Sequence, residues 1–204
     1  MWDTQFYTIA LVTILAVISP GPDFAIILRN SISFGRIAGC YTALGIAAGV
    51  SVHITYTVLG FSYLMNEALW LLDAMRYIGA AYLIWLGVSA FLSQTTQDQI
   101  ELQPSTISAL ASFRNGVICN ALNPKTALFF IALFTQVVDP HTPIQTQMGF
   151  GLFIALAHLL WFSCLAYLLT HQAWRNRFHK IKPKIERVVG ACLLILGIKL
   201  MTTT

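Results

Sequence analysis

Two charged side chains stand where a mostly apolar chain interrupts its own helices. Asp23 follows Ser19-Pro20-Gly21-Pro22, and Lys125 follows Asn123-Pro124. A proline has no N–H, and its ring clashes with the carbonyl four residues back. Pro20 and Pro22 therefore free the carbonyls of Ala16 and Ile18 and cannot lie in an unbroken helix. The half-helix that starts after each break offers free N–H groups and a positive dipole end, which favour a carboxylate. The uncapped carbonyls before each break favour a cation. A zwitterion such as an α-amino acid matches both halves of this arrangement. Its carboxylate would meet a half-helix N-terminus and Lys125. Its ammonium would meet Asp23, the freed carbonyls and the side chains of Asn120 and Asn123. The candidate substrate-binding residues are Pro20, Gly21, Pro22, Asp23, Asn120, Asn123, Pro124 and Lys125. Two further readings of the charges stay open. Asp23 and Lys125 could form an ion pair that only locks two halves together, or one of them could lie at the membrane interface, since Asp23 precedes Arg29 by a few residues.

The elements that must position these residues are membrane helices. Of the 204 residues, 57% are hydrophobic and 10% charged, against about 25% charged in a soluble domain. An ionisable residue at mid-membrane costs roughly 2.5–3.5 kcal/mol on insertion scales, so Asp23 and Lys125 ask for a pair, a water-filled cavity or a substrate. The net charge of +4 is no nucleic-acid signal, because the basic residues bunch at the ends of apolar runs. Cys40, Cys119, Cys164 and Cys192 lie in or near apolar runs with no CxxC spacing, which predicts neither a disulfide framework nor a metal site. They read as small packing residues. No cofactor is expected. The first apolar run lacks a basic leader, so no cleavable signal peptide is expected.

Six segments approach the ~20 apolar residues a spanning helix needs: about 5–28, 37–62, 69–92, 108–138, 148–170 and 186–202. The fourth is long and is expected to begin with an interfacial turn near 105–112. Arg29 and Arg36 follow the first span, and a basic loop at about 171–187 follows the fifth. By the positive-inside rule both face the cytoplasm. Glu67, Asp73, Asp139 and His141, with Arg76 the lone cation, suit the outside, as do both termini. The polar stretch 93–104 reads as a linker between halves.

The halves resemble each other. Arg76-Tyr77-Ile78-Gly79-Ala80 in the third span echoes Arg187-Val188-Val189-Gly190-Ala191 in the sixth, and the proline-broken first span echoes the proline-broken fourth. Three spans per half is an odd number, so the halves have opposite topology. Paired interrupted segments in inverted halves point to a transport site at the repeat interface. The expected architecture is an all-α integral membrane protein of six helices, two inverted three-helix repeats with helices 1 and 4 broken. It forms one transporter domain over 1–204, with repeat one at about 1–92 and repeat two at about 105–204. Gly35/Gly39 and Gly45/Gly49 carry the small-xxx-small spacing of close helix packing. His53 and His158 occupy comparable places in the halves; they read either as packing histidines or as proton relays, with Asp23 as the principal proton-coupling candidate. No acid besides Asp23 is expected within the membrane. Asp73 and Arg76 are spaced to pair locally.

Ile18-Ser19-Pro20-Gly21-Pro22-Asp23, the Gly35-Arg36/Gly39 turn, Phe113-Arg114-Asn115-Gly116 and Asn120-Ala121-Leu122-Asn123-Pro124-Lys125 together resemble the lysine exporter (LysE) superfamily. Within it the chain is most similar to the homoserine/threonine exporter (RhtB) family. The resemblance runs through essentially the whole chain. It implies a bacterial inner-membrane exporter of a small neutral amino acid, coupled to protons, and suggests a homodimer. Three alternatives remain at this level: an exporter of a cation, a metal or a basic amino acid; a passive channel; and, more remote, a membrane-embedded enzyme. For an enzyme the sequence shows neither clustered metal ligands nor a nucleophile with its base.

Overall fold

The computed structural model describes residues 2–67, 69–92, 106–139 and 141–203, and the described residues are helical apart from short breaks and turns. Seven helices run in order: α1 (Trp2–Ile18), α2 (Pro22–Glu67), α3 (Leu69–Leu92), α4 (Ala109–Ala121), α5 (Pro124–Gln136), α6 (Ile144–Leu169) and α7 (Gln172–Thr203). The expected linker at 93–104 lies outside the described residues.

A straight helix of the 46 residues of α2 would be roughly 70 Å long, over twice the ~30 Å of bilayer hydrocarbon. It is instead two arms joined at Gly35, whose backbone adopts φ 86° and ψ 171°. That positive φ costs glycine little and any side-chain-bearing residue much. Gly35 is thus a corner, with no atom within 4 Å of where a Cβ would lie, and not the packing glycine its spacing suggested. Gly39, Gly45 and Gly49 do pack closely. A Cβ on Gly45 would collide with the Phe113 carbonyl, and one on Gly49 would come 2.9 Å from the Asn120 Cβ.

The two proline-marked interruptions are where the sequence places them. α1 ends at Ile18 and α2 begins at Pro22; α4 ends at Ala121 and α5 begins at Pro124, with a 53° bend between α4 and α5. Among the described residues, three helices are long and apolar enough to cross a membrane, or up to four if the bent pair counts as one span. The basic stretch expected to be a loop at about 171–187 is instead the first half of α7, continuous through Pro183. Arg177, Lys180, Lys184 and Arg187 lie on one exposed side, while Phe178, Lys182, Ile185 and Glu186 are partly or fully buried, so an amphipathic helix is stable where hydropathy alone reads a loop.

α2 packs on α4 and α6, while α3 packs on α7 and α5. Gly87 of α3 and Gly190 of α7 meet where these two helices cross. A Cβ on Gly87 would lie 2.7 Å from the Gly190 carbonyl, and one on Gly190 would lie 2.9 Å from the Gly87 carbonyl. Of the three apolar clusters, one joins Ile9 and Val12 of α1 to Phe129, Phe130 and Phe134 of α5. A second joins Val17 and Phe24 to Phe162 and Leu165 of α6. The candidate site lies between these two. The cysteines are free thiols; Cys40, Cys164 and Cys192 are exposed and Cys119 is partly buried.

Candidate functional site

The second break shapes itself. Asn123 caps α5: its side-chain oxygen accepts from the Lys125 N–H at 2.9 Å, and Pro124 occupies the first turn, where a missing N–H costs nothing. The Asn120 carbonyl at the end of α4 accepts from the Asn123 N–H at 2.9 Å and from His53 Nε2 at 2.8 Å. A carbonyl can only accept, so Nε2 carries the proton and Nδ1 of the neutral ring accepts from the Tyr56 hydroxyl at 2.8 Å.

The first break has no such cap and takes its partners from the second. Lys125 Nζ donates to the Ser19 carbonyl at 2.5 Å and to the Pro20 carbonyl at 3.3 Å. Asp23 is 6% exposed, and its Oδ2 accepts from Asn120 Nδ2 at 2.9 Å and from Asn123 Nδ2 at 3.0 Å. Hydrogen bonds to a charged group contribute about 1.5–3 kcal/mol each, which offsets much of the cost of burying the carboxylate. The other oxygen, Oδ1, is buried without a hydrogen-bond partner, as is Asn120 Oδ1. Gly21 leaves room for the lysine stem: a Cβ there would lie 3.0 Å from Lys125 Cδ.

Asp23 and Lys125 make no ion pair within 4.0 Å; the ion pairs among the described residues are Arg76–Asp73, the local pair expected from spacing, and Lys182–Glu186. Each instead binds the other helix's break. Both line one cavity of about 20 Å³, walled by Phe24, Phe129 and Phe162, with Ser19, Gly21, Asn123, Thr126 and His158 on its surface. That is room for about one water molecule. Lys125 is half-buried, so neither charge is turned to an outer surface.

The structure thus brings together Gly21, Asp23, Asn123 and Lys125 at the cavity, with Asn120 bonded to Asp23, Pro20 bonded to Lys125 through its carbonyl, and Pro22 and Pro124 starting the half-helices. The histidines separate. His158 lines the cavity, its Nδ1 donating to the Ile154 carbonyl at 2.8 Å. His53 is 1% exposed, stacks on Phe130 and reaches Asp23 only through Asn120. Sequence reasoning missed Thr126, which accepts from Asn120 Nδ2 at 3.3 Å, and Tyr82, whose hydroxyl donates to the Lys125 carbonyl at 3.3 Å. It also missed a second buried acid: Glu186 is 7% exposed. It stands where the basic stretch at about 171–187 meets the sixth apolar segment at about 186–202, and the helical phase of α7 turns it inward.

The family model described as "LysE type translocator" matches residues 14–204. The chain is 29% identical over 199 residues to the threonine efflux protein of Salmonella typhimurium, covering 96% of this chain and 97% of that protein. It is 27% identical over 199 residues to the threonine efflux protein of Escherichia coli, with the same coverage. To the Bacillus subtilis membrane protein YrhP it is 29% identical over 194 residues, 91% of this chain and 92% of that protein. No solved structure matches the chain.

Proposed function

From the premise that this chain belongs to the LysE type translocator family and is a multi-pass membrane protein, we propose that it exports a small neutral amino acid, threonine-like, across the bacterial inner membrane. The observation that carries this reading is one small cavity between two helix breaks, faced by a buried carboxylate with an unpartnered oxygen and by an ammonium bound to main-chain carbonyls. One acid and one base suit a zwitterion better than a bare cation, which asks for more carboxylates. The threonine efflux proteins among its relatives support the substrate class.

The helix order accommodates six crossings in this reading: α1 with the first arm of α2, the second arm of α2, α3, α4 with α5, α6, and the apolar end of α7. Two inverted repeats of three then place the breaks opposite each other, and the packing of α3 on α7, the helices that carry the two matching stretches, supports that symmetry. Arg29, Arg36 and the basic half of α7 assign the shared face to the cytoplasm, with both termini outside.

A cavity of about 20 Å³ has no room for an amino acid, so loading requires the breaks to part. In the proposed cycle the substrate ammonium displaces Lys125 from the first-break carbonyls and meets Asp23 Oδ1, while its carboxylate takes Lys125. Protonation of Asp23 from the outside then weakens its hold on the ammonium and releases the substrate there. His158, on the cavity wall, is the histidine placed to pass that proton; His53 positions Asn120. The test is counterflow of radiolabelled threonine in proteoliposomes. The wild type should exchange it and accumulate it against a gradient when a proton gradient is imposed. Asp23→Asn should exchange without accumulating. Leak without exchange would mean a channel, and accumulation by Asp23→Asn at the wild-type rate would remove the coupling role.

A further inference from the structure

Phe178, Lys182 and Glu186 follow one another at four-residue steps and so form one stripe along α7. The Phe178 ring stacks on Phe24, with centroids 5.3 Å apart and planes 22° apart, and Lys182 Nζ lies 5.7 Å from the centre of the Phe24 ring. Phe24 is a wall of the Asp23–Lys125 cavity. One turn further, the buried Glu186 meets Lys182 at 3.9 Å and is near enough to Lys125 to interact with it electrostatically. Ile185 beside it packs against the same apolar cluster as Ile18 and Leu128, which flank the two breaks. Arg177, Lys180, Lys184 and Arg187 are exposed. A helix serving only to place positive charge at a membrane surface needs no carboxylate on its buried side, where desolvation opposes the charge.

We propose that Glu186 is the second carboxylate of the transport site, a specificity-determining residue that, with Phe178 and Lys182, closes the cavity against Phe24. The proposal rests on the export reading above. Asp23, Lys125, Lys182 and Glu186 sum to zero charge, so the site accepts a net-neutral zwitterion and disfavours amino acids with an extra charge of either sign. Neutralising Glu186 leaves a net positive site that favours an additional carboxylate; neutralising Lys182 leaves a net negative site that favours an additional ammonium.

The experiment is exchange of radiolabelled threonine in proteoliposomes with unlabelled aspartate or lysine as competitor. Glu186→Gln should lower threonine exchange about tenfold, as expected for one lost charged interaction, and make aspartate the better competitor. Lys182→Gln should make lysine the better competitor, and Glu186→Asp should restore the wild-type profile. A merely structural role would lower rates without inverting the competition, and unchanged competition in both neutralised variants would overturn the proposal. Cys119 supplies a second readout, because its thiol lies within electrostatic reach of Asp23. With Cys40, Cys164 and Cys192 replaced by serine, Phe178→Ala should speed labelling of Cys119 by an impermeant maleimide from the cytoplasmic face of inverted vesicles. Phe178→Leu serves if the alanine variant does not fold, and labelling at the wild-type rate in the folded variant would remove the closing role. If the wild type exchanges no amino acid, the export reading fails by itself, while Cys119 labelling still reports on closure.

Discussion

The two helix breaks look alike in sequence and are built differently. The second, between α4 and α5, is self-sufficient: Asn123 caps the new helix, Pro124 fits its first turn, and the Ala127 N–H returns to the Asn123 carbonyl at 3.0 Å. The first, between α1 and α2, turns main-chain carbonyls and a carboxylate toward the second. Its carbonyls and its carboxylate are met by Lys125, Asn120 and Asn123, about a hundred residues away (sequence separations 97 to 106). One break is a scaffold that presents donors; the other is held in shape by what the scaffold presents. Such an asymmetric pair can part and rejoin, because opening the first break leaves the second intact. A substrate that carries both an ammonium and a carboxylate can take the place of either set of partners.

Asn123→Ala attacks both roles of the scaffold and should have the largest effect. It removes a helix cap, about 1 kcal/mol, and one hydrogen bond to a buried carboxylate, about 1.5–3 kcal/mol. Thermal unfolding in detergent should show Asn123→Ala below Asn123→Ser, which keeps a cap. Equal losses would mean that the cap contributes nothing.

Lys125→Met sharpens the contrast. It strips the donor from the Ser19 and Pro20 carbonyls, costing about 1.5–3 kcal/mol, and should abolish threonine exchange. Hydrogen exchange should quicken at the Ala25 amide, bonded to Gly21, and stay slow at the Ala127 amide, bonded to Asn123. If both quickened together, the breaks would be one cooperative unit and the asymmetry drawn here would fall.

Gly21→Ala is subtler. The added methyl meets the Lys125 stem, a flexible neighbour, so the unfolding temperature should change little while exchange falls severalfold as the ammonium is displaced. Tyr82→Phe should matter least. It deletes one neutral hydrogen bond to the Lys125 carbonyl, about 0.5–1.5 kcal/mol, and should leave the substrate profile unchanged.

Proline chemistry made both interruptions legible, because a missing N–H and a ring clash act within four residues and need no neighbour. Apolar run lengths likewise located most of the helices. The corner at Gly35 was legible as a turn leading into the second span, although its spacing to Gly39 fits a packing motif equally well. The basic half of α7 was misread because its apolar positions become a face only once another surface covers them.

The sequence by itself determined that this is a helical membrane protein, that two of its helices are broken, and that an acid and a base stand beside the breaks; each follows from local sterics or from the cost of charge in hydrocarbon. Which partner each charge takes was decided only by the tertiary structure. Asp23 went to two amides instead of Lys125, Lys125 went to backbone carbonyls, and Glu186 turned inward. Those outcomes depend on which unsatisfied groups packing brings within about 3 Å of one another, and separation along the chain carries no such information.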